Sequence, residues 1–215
     1  MTIVRFALAG AAALACAGAA QAQDFQPKAQ GQWMLNVRAT QVSPDAGDPI
    51  VTAAGVATGL RAEVKDDVMP TIGLTRFLTD NIAVEVIAGT THHKVKAQGP
   101  GTDVVVHETW VLPPVVSLQY HFAPQARVSP YVGAGVNYMI FYSGEDKNGF
   151  RVDLDDGFGY ALQAGVDIAV QGPWSANLDV KKVFFETDAT INGGALKSKV
   201  KLDPWVVSAG FGYKF

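Results

Sequence analysis

From Gln32 onward the chain is a series of segments about ten residues long in which apolar side chains alternate with small or polar ones. A period of two belongs to strands with two unlike faces. Beyond residue 22 no run of ~18 apolar residues occurs, so no membrane-spanning helix is on offer there. Strands of ~9–11 residues, by contrast, are long enough to cross a bilayer.

Eight such segments can be read. The first is Gln32 to Val42, with Trp33, Leu35 and Val37 on one face and Met34, Asn36 and Arg38 on the other. The second, Pro70 to Phe77, opposes Ile72 and Leu74 to Thr71, Gly73 and Thr75. The third, Ile82 to Thr91, is the clearest, with Ile82, Val84, Val86 and Ala88 against Ala83, Glu85, Ile87 and Gly89. The fourth runs from Val104 to Phe122, bent at Pro113-Pro114, and the fifth from Pro130 to Tyr142. The sixth, seventh and eighth are Phe158 to Val170, Trp174 to Phe185, and Trp205 to Phe215.

The links alternate in length. Short ones fall at Leu78 to Asn81, Ala123 to Ser129 and Gln171 to Pro173; long ones at Ser43 to Met69, Thr91 to Val104, Ser143 to Gly157 and Thr187 to Lys199. Eight antiparallel strands with tight turns at one end and long loops at the other are the plan of an outer-membrane β-barrel with both termini periplasmic. Ala-Gly recurs at Ala88-Gly89, Ala134-Gly135, Ala164-Gly165 and Ala209-Gly210, each glycine on the polar face. In a barrel just wide enough for its own side chains, inward glycines relieve crowding.

A soluble β-sandwich or lipocalin-like barrel would be apolar inside and charged outside. Here the candidate lumen-lining residues are Arg38, Glu85, Gln119, His121, Asn137, Gln163, Asp167, Asn177, Asp179 and Lys181, whereas the other faces carry almost no charge. A charge at the bilayer midplane costs about 2–4 kcal/mol, so this asymmetry fits lipid outside. Trp33, Tyr131, Tyr142, Tyr160, Trp174, Trp205 and Tyr213 lie near strand ends, where aromatic girdles meet headgroups. The expected architecture is therefore all-β, an eight-stranded antiparallel transmembrane barrel spanning residues 23–215.

Met1 to Ala22 reads as a secretory signal peptide: Arg5 near the start, an apolar stretch from Phe6 to Ala15, and Ala20-Gln21-Ala22 as the cleavage site. The single cysteine, Cys16, lies inside it, and Ala13-Leu14-Ala15 places Leu one position too near the cysteine for a lipoprotein signal. One cysteine excludes an internal disulfide framework and a Cys-built zinc site. A formal net charge of −3 without a Lys/Arg block argues against nucleic acid as a partner.

The ending Phe211-Gly212-Tyr213-Lys214-Phe215 resembles the closing strand of bacterial outer-membrane barrels, whose terminal aromatic is read by the barrel-assembly machinery. Thr79-Asp80-Asn81-Ile82-Ala83-Val84-Glu85, Leu112-Pro113-Pro114, Pro130 to Tyr138 and Leu202-Asp203-Pro204-Trp205 resemble the OmpW family, in order, through nearly the whole chain beyond the signal peptide. The resemblance implies an eight-stranded outer-membrane barrel that passes small hydrophobic molecules through a narrow apolar route in its extracellular half, with lateral release into the bilayer. Some relatives, the AlkL branch, are associated with alkane uptake. The chain departs from the best-studied type on the seventh strand, where Lys181 or Lys182 stands in place of an aromatic.

Other chemistry finds little footing. His92-His93 are neighbours on a strand, so they point to opposite faces and cannot easily share a metal ion. No Gly-rich phosphate loop opens a helix, and Ser117, Ser175 and Ser208 lack a nucleophile elbow. Asp153 to Gly157 lacks the ligand spacing of a calcium loop. No cofactor is expected.

Two functions remain in view. The first is non-enzymatic passage of apolar solutes, with Ile50, Val51, Val56 and Leu60 of the first long loop either lining an apolar vestibule or packing that loop over the barrel top. The second is a closed structural barrel that presents its loops to partners or phage. Inward Arg38, Glu85, Asp179 and Lys181 as a paired ionic plug would favour the second; an apolar cavity reaching a gap in the wall would favour the first.

Overall fold

The computed structural model describes residues 25–215; the signal-peptide reading of Met1 to Ala22, with its cleavage site and Cys16, lies outside the described residues. The described residues form fifteen strands: β1 (Trp33–Ser43), β2 (Pro49–Thr52), β3 (Ala57–Val64), β4 (Asp67–Phe77), β5 (Ile82–Ala88), β6 (Thr91–Gly99), β7 (Thr102–Leu112), β8 (Val115–His121), β9 (Val128–Asp146), β10 (Val152–Leu154), β11 (Gly157–Ala169), β12 (Trp174–Phe184), β13 (Glu186–Ile191), β14 (Leu196–Lys201) and β15 (Trp205–Lys214).

Eight of these close on themselves. Every neighbour in the ring β1-β4-β5-β8-β9-β11-β12-β15 is antiparallel, and β15 returns to β1 from Met34↔Lys214 to Ser43↔Trp205. Closure leaves no edge with unpaired backbone groups, the condition for a sheet to sit in hydrocarbon. Burial alternates residue by residue, as in β8 with Val115, Ser117, Gln119 and His121 inward and Val116, Leu118 and Tyr120 outward. The outward set is apolar all round: Val37, Ile72, Val86, Leu118, Val136, Leu162, Leu178 and Val207 are exposed, one from each ring strand.

The long links are not structureless. They hold β2, β3, β6, β10, β13 and β14, which with β7 and the upper part of β9 make a second sheet continuing the barrel at its loop end. The fourth segment divides at Pro113-Pro114 into β7 and β8 because neither proline has an N–H to give a ladder. β9 spans the division, pairing with β8 up to Val115↔Asn137 and with β7 from Leu112↔Ile140. The third segment likewise ends at Ala88, and Thr91 opens β6. Tyr131, grouped above with the girdle aromatics, instead points inward at 2% exposure, because β9 carries odd-numbered residues inside at this level. The other six girdle aromatics are exposed.

Candidate functional site

The barrel interior has a polar floor. It begins beneath the ring, where residues 25–32 cross the base: the Gln26 and Lys28 N–H groups donate to Gly172 and Pro124 carbonyls, at 2.8 and 3.0 Å. This crossing aims Lys28 up into the barrel. Its ammonium donates to Asp167 Oδ2 (2.7 Å), Ser129 Oγ (2.8 Å) and His121 Nδ1 (2.8 Å). Because a lysine ammonium only donates, His121 holds its proton on Nε2, which donates to Gln119 Oε1 at 3.1 Å.

One level higher, four charges from three strands meet. Arg38 donates from Nη2 to Glu85 Oε1 (2.7 Å) and from Nε to Asn177 Oδ1 (2.6 Å). Glu85 Oε2 also accepts from Gln119 (3.0 Å) and Gln163 (2.9 Å), and lies 3.5 Å from the Lys181 ammonium. Asp179 accepts from Lys181, from Gln163 (2.7 Å) and from the Tyr131 hydroxyl (2.7 Å). Asn177 ties the levels together by donating to Asp167 Oδ1 at 2.7 Å. Three cations, Lys28, Arg38 and Lys181, thus face three carboxylates, Glu85, Asp167 and Asp179, all buried. Buried charges persist only when paired in this way.

Of the ten lumen-lining candidates, nine join this network: Arg38, Glu85, Gln119, His121, Gln163, Asp167, Asn177, Asp179 and Lys181. Asn137 is equally buried, but its amide meets no hydrogen-bond partner among the described residues. Lys28 had no signal in the sequence, since a lone lysine after a proline in a non-periodic stretch has no assigned face. Lys182, the alternative to Lys181, points outward and covers the Trp205 ring at 5.1 Å.

Above the floor the chemistry reverses. Thr40, Thr71 and Ser208 share hydroxyl hydrogen bonds of 2.7 and 2.9 Å, and over them Ile87, Val111, Val115, Met139, Val183 and Phe185 form an apolar layer. A second apolar cluster, including Ile50, Ala62, Val106, Val152, Ile191 and Val200, lines the loop-end sheet. Between them lies an apolar cavity of about 60 Å³. A smaller hollow of about 50 Å³ shares Val42, Pro113, Met139 and Pro204 with it, and reaches down to Lys181 and sideways to Met69, Thr71, Ala88 and Gly89. At that side β4 and β5 stop pairing beyond Ile72↔Ala88.

The four residues of the first long loop part company. Ile50 is buried in the cavity wall, and Leu60 packs against the same cluster at its rim. Val51, next to Ile50 on β2, takes the opposite face, and Val56 at 62% exposure follows the Thr52–Gly55 turn. Strand alternation takes Val51 out of the cavity lining, and the turn takes Val56 out of it.

The histidine pair divides as its spacing requires: His92 lies against the Trp110 ring with centroids 4.9 Å apart, while His93 is buried on the cavity side. No cluster of three metal-ligating side chains occurs among the described residues.

Comparison with known proteins gives the same architecture a wider setting. Residues 29–215 match the family model described as OmpW family. The chain is 39% identical over 220 residues to the uncharacterized outer-membrane protein y4mB of Sinorhizobium fredii, covering 96% of this chain and 93% of that one. It is 30% identical over 193 residues to outer membrane protein AlkL of Ectopseudomonas oleovorans, covering 86% and 83%. The crystal structure of OprG from Pseudomonas aeruginosa superposes with a TM-score of 0.83 at 29% identity, covering 89% of this chain and 99% of OprG.

Proposed function

The chain belongs to the OmpW family of outer-membrane β-barrels, and from that premise we propose that it passes small apolar solutes across the outer membrane without enzymatic chemistry. The observation that carries this reading is the apolar cavity at the loop end, stacked on a floor whose charges are paired. A floor closed by buried ion pairs offers water and ions no easy axial path. An apolar guest that enters from the loop end therefore leaves sideways, where the smaller hollow meets Met69, Ala88 and Gly89, into the bilayer. The likeness to AlkL supports an apolar cargo. A cavity of about 60 Å³ is narrow, so the guest is slender or the loops part to admit it.

In this reading the long hairpins are extracellular and both termini periplasmic, the leader is cut after Ala22, the apolar belt contacts outer-membrane lipid, and Phe215 is the mark for the barrel-assembly machinery. The ionic floor by itself suits a closed structural barrel as well, which is why cargo has to be measured. The test is uptake of labelled octane and of a polar sugar by intact cells with and without the chain. Faster octane entry with unchanged sugar entry supports passage; equal rates for both solutes, with heat-modifiable migration confirming a folded barrel, support the closed barrel.

A further inference from the structure

The cavity wall is apolar except for six side chains; four hydroxyls and one imidazole donate their hydrogens to backbone carbonyls, and the sixth, Lys96, pairs with a carboxylate. Thr187 and Ser198 hydroxyls donate to the Asp155 and Pro49 carbonyls at 2.8 and 3.2 Å. The Thr91 hydroxyl donates to the Val111 carbonyl at 3.4 Å, and that of Thr109 to the Trp110 and Tyr142 carbonyls at 3.3 and 3.4 Å. The Lys96 ammonium pairs with Asp103 at 2.9 Å. Three further lining residues, Pro44, Pro113 and Pro204, have no N–H at all.

His93 completes the set and is the strongest acceptor in it. It sits opposite Thr109 on the cavity face of β6, and its Nδ1 is 2.8 Å from the Lys65 carbonyl oxygen. A carbonyl only accepts, so Nδ1 carries the proton. Burial pushes this imidazole below its ordinary pKa and keeps it neutral. Its Nε2 is then a bare lone pair on a side chain that lines the cavity, and no hydrogen bond to it occurs among the described residues.

A cavity whose hydroxyl and imidazole hydrogens are already engaged, and whose imidazole keeps a lone pair, discriminates among apolar guests by the one group they bring. We propose that it selects slender apolar molecules carrying a single hydroxyl, with the guest O–H donating to His93 Nε2. Alkanes fill the space without that bond, and ethers of the same length place a second acceptor against an acceptor. This assignment rests on the passage function proposed above and names the class of solute it prefers.

The experiment uses the full chain in bilayer nanodiscs and a diazirine-bearing alkane that labels cavity residues on illumination. Octan-1-ol, heptyl methyl ether and octane compete with it at matched membrane concentrations. The expected result is that octanol suppresses labelling at about fivefold lower concentration than the ether, the size of one net hydrogen bond. In His93→Asn, whose amide keeps a donor for Lys65 but lacks the distal nitrogen, that ratio falls to about one while labelling itself persists. Equal competition by alcohol and ether in the wild-type chain, or an unchanged ratio in the variant, overturns the hydroxyl preference alone. No labelling of the cavity overturns the passage reading with it. If His93→Asn does not fold, the His93 Nε2 nitrogen resonance of the wild-type chain carries the test. It moves on addition of octanol and not of the ether, and a resonance unmoved by octanol rejects the assignment.

Discussion

Arg38 on β1 and Glu85 on β5 hold each other at 2.7 Å across an intervening strand. That strand is β4, and the residue between them on it is Gly73, where an added Cβ would lie 3.0 Å from Arg38 Nη1 and 3.2 Å from Glu85 Oε1. The absence of a side chain at position 73 lets two strands that are not neighbours share an ion pair.

Removing one partner leaves the rest of the floor unbalanced. Glu85→Ala leaves Arg38 without a carboxylate in a buried site and takes one of two from Lys181, and such a loss costs about 3–5 kcal/mol. The midpoint of urea unfolding in lipid vesicles should fall accordingly, and Lys181→Ala should shift it in the same direction.

Closure of the ring depends on glycine more sharply elsewhere. At Gly210 an added Cβ would meet the Val37 carbonyl oxygen at 2.0 Å and the Arg38 Cα at 2.6 Å, both backbone atoms of β1. Neither can move without parting the β15–β1 ladder, so Gly210→Ala should lower the yield of folded, heat-modifiable barrel several-fold. Gly47→Ala, where nothing lies within 4 Å, should leave the yield unchanged.

These glycines also mark what the sequence made legible. Strict alternation in segments such as Ile82 to Ala88 determines which residues face in, so the ring strands and most of the floor could be read directly. The loop-end sheet could not. In β6 the alternation of Lys94, Val95, Lys96 and Ala97 is broken by a register shift at Val95/Lys96, and β2 shifts against β3 between Pro49 and Val51. A shift of one residue exchanges the faces, so periodicity across it misassigns side chains. The start of β4 at Asp67 was hidden behind Pro70, which reads as the first residue of a strand. The cavity itself is made from nine strands spread along the chain, and no local pattern announces it.

Lys28 closes the base from a segment outside the ring. Lys28→Met removes the cation from Asp167 and leaves a carboxylate to draw water and ions upward. Planar-bilayer recordings should show higher ionic conductance than the wild-type chain, together with a lower thermal midpoint.

The β6–β7 hairpin should loosen in acid. Burial depresses the His93 pKa in the folded chain below its ordinary 6.5, so the unfolded hairpin binds the proton more readily. The stability from neutral His93 is complete above that value and is lost as pH falls toward the depressed one. Amide exchange in β6 and β7, corrected for intrinsic rates, should rise between pH 7.5 and pH 5.5, and His93→Gln should reduce the rise.

Passage by this route requires solute to occupy the apolar cavity. Val106 lies buried in its wall, and Val106→Asp places a charge there without touching the floor. The most direct measurement is the rate of octane uptake by intact cells carrying Val106→Asp, compared with wild type at equal amounts of folded barrel. The rate should fall to that of cells lacking the chain. An octane rate that stays at the wild-type level would contradict passage through this cavity.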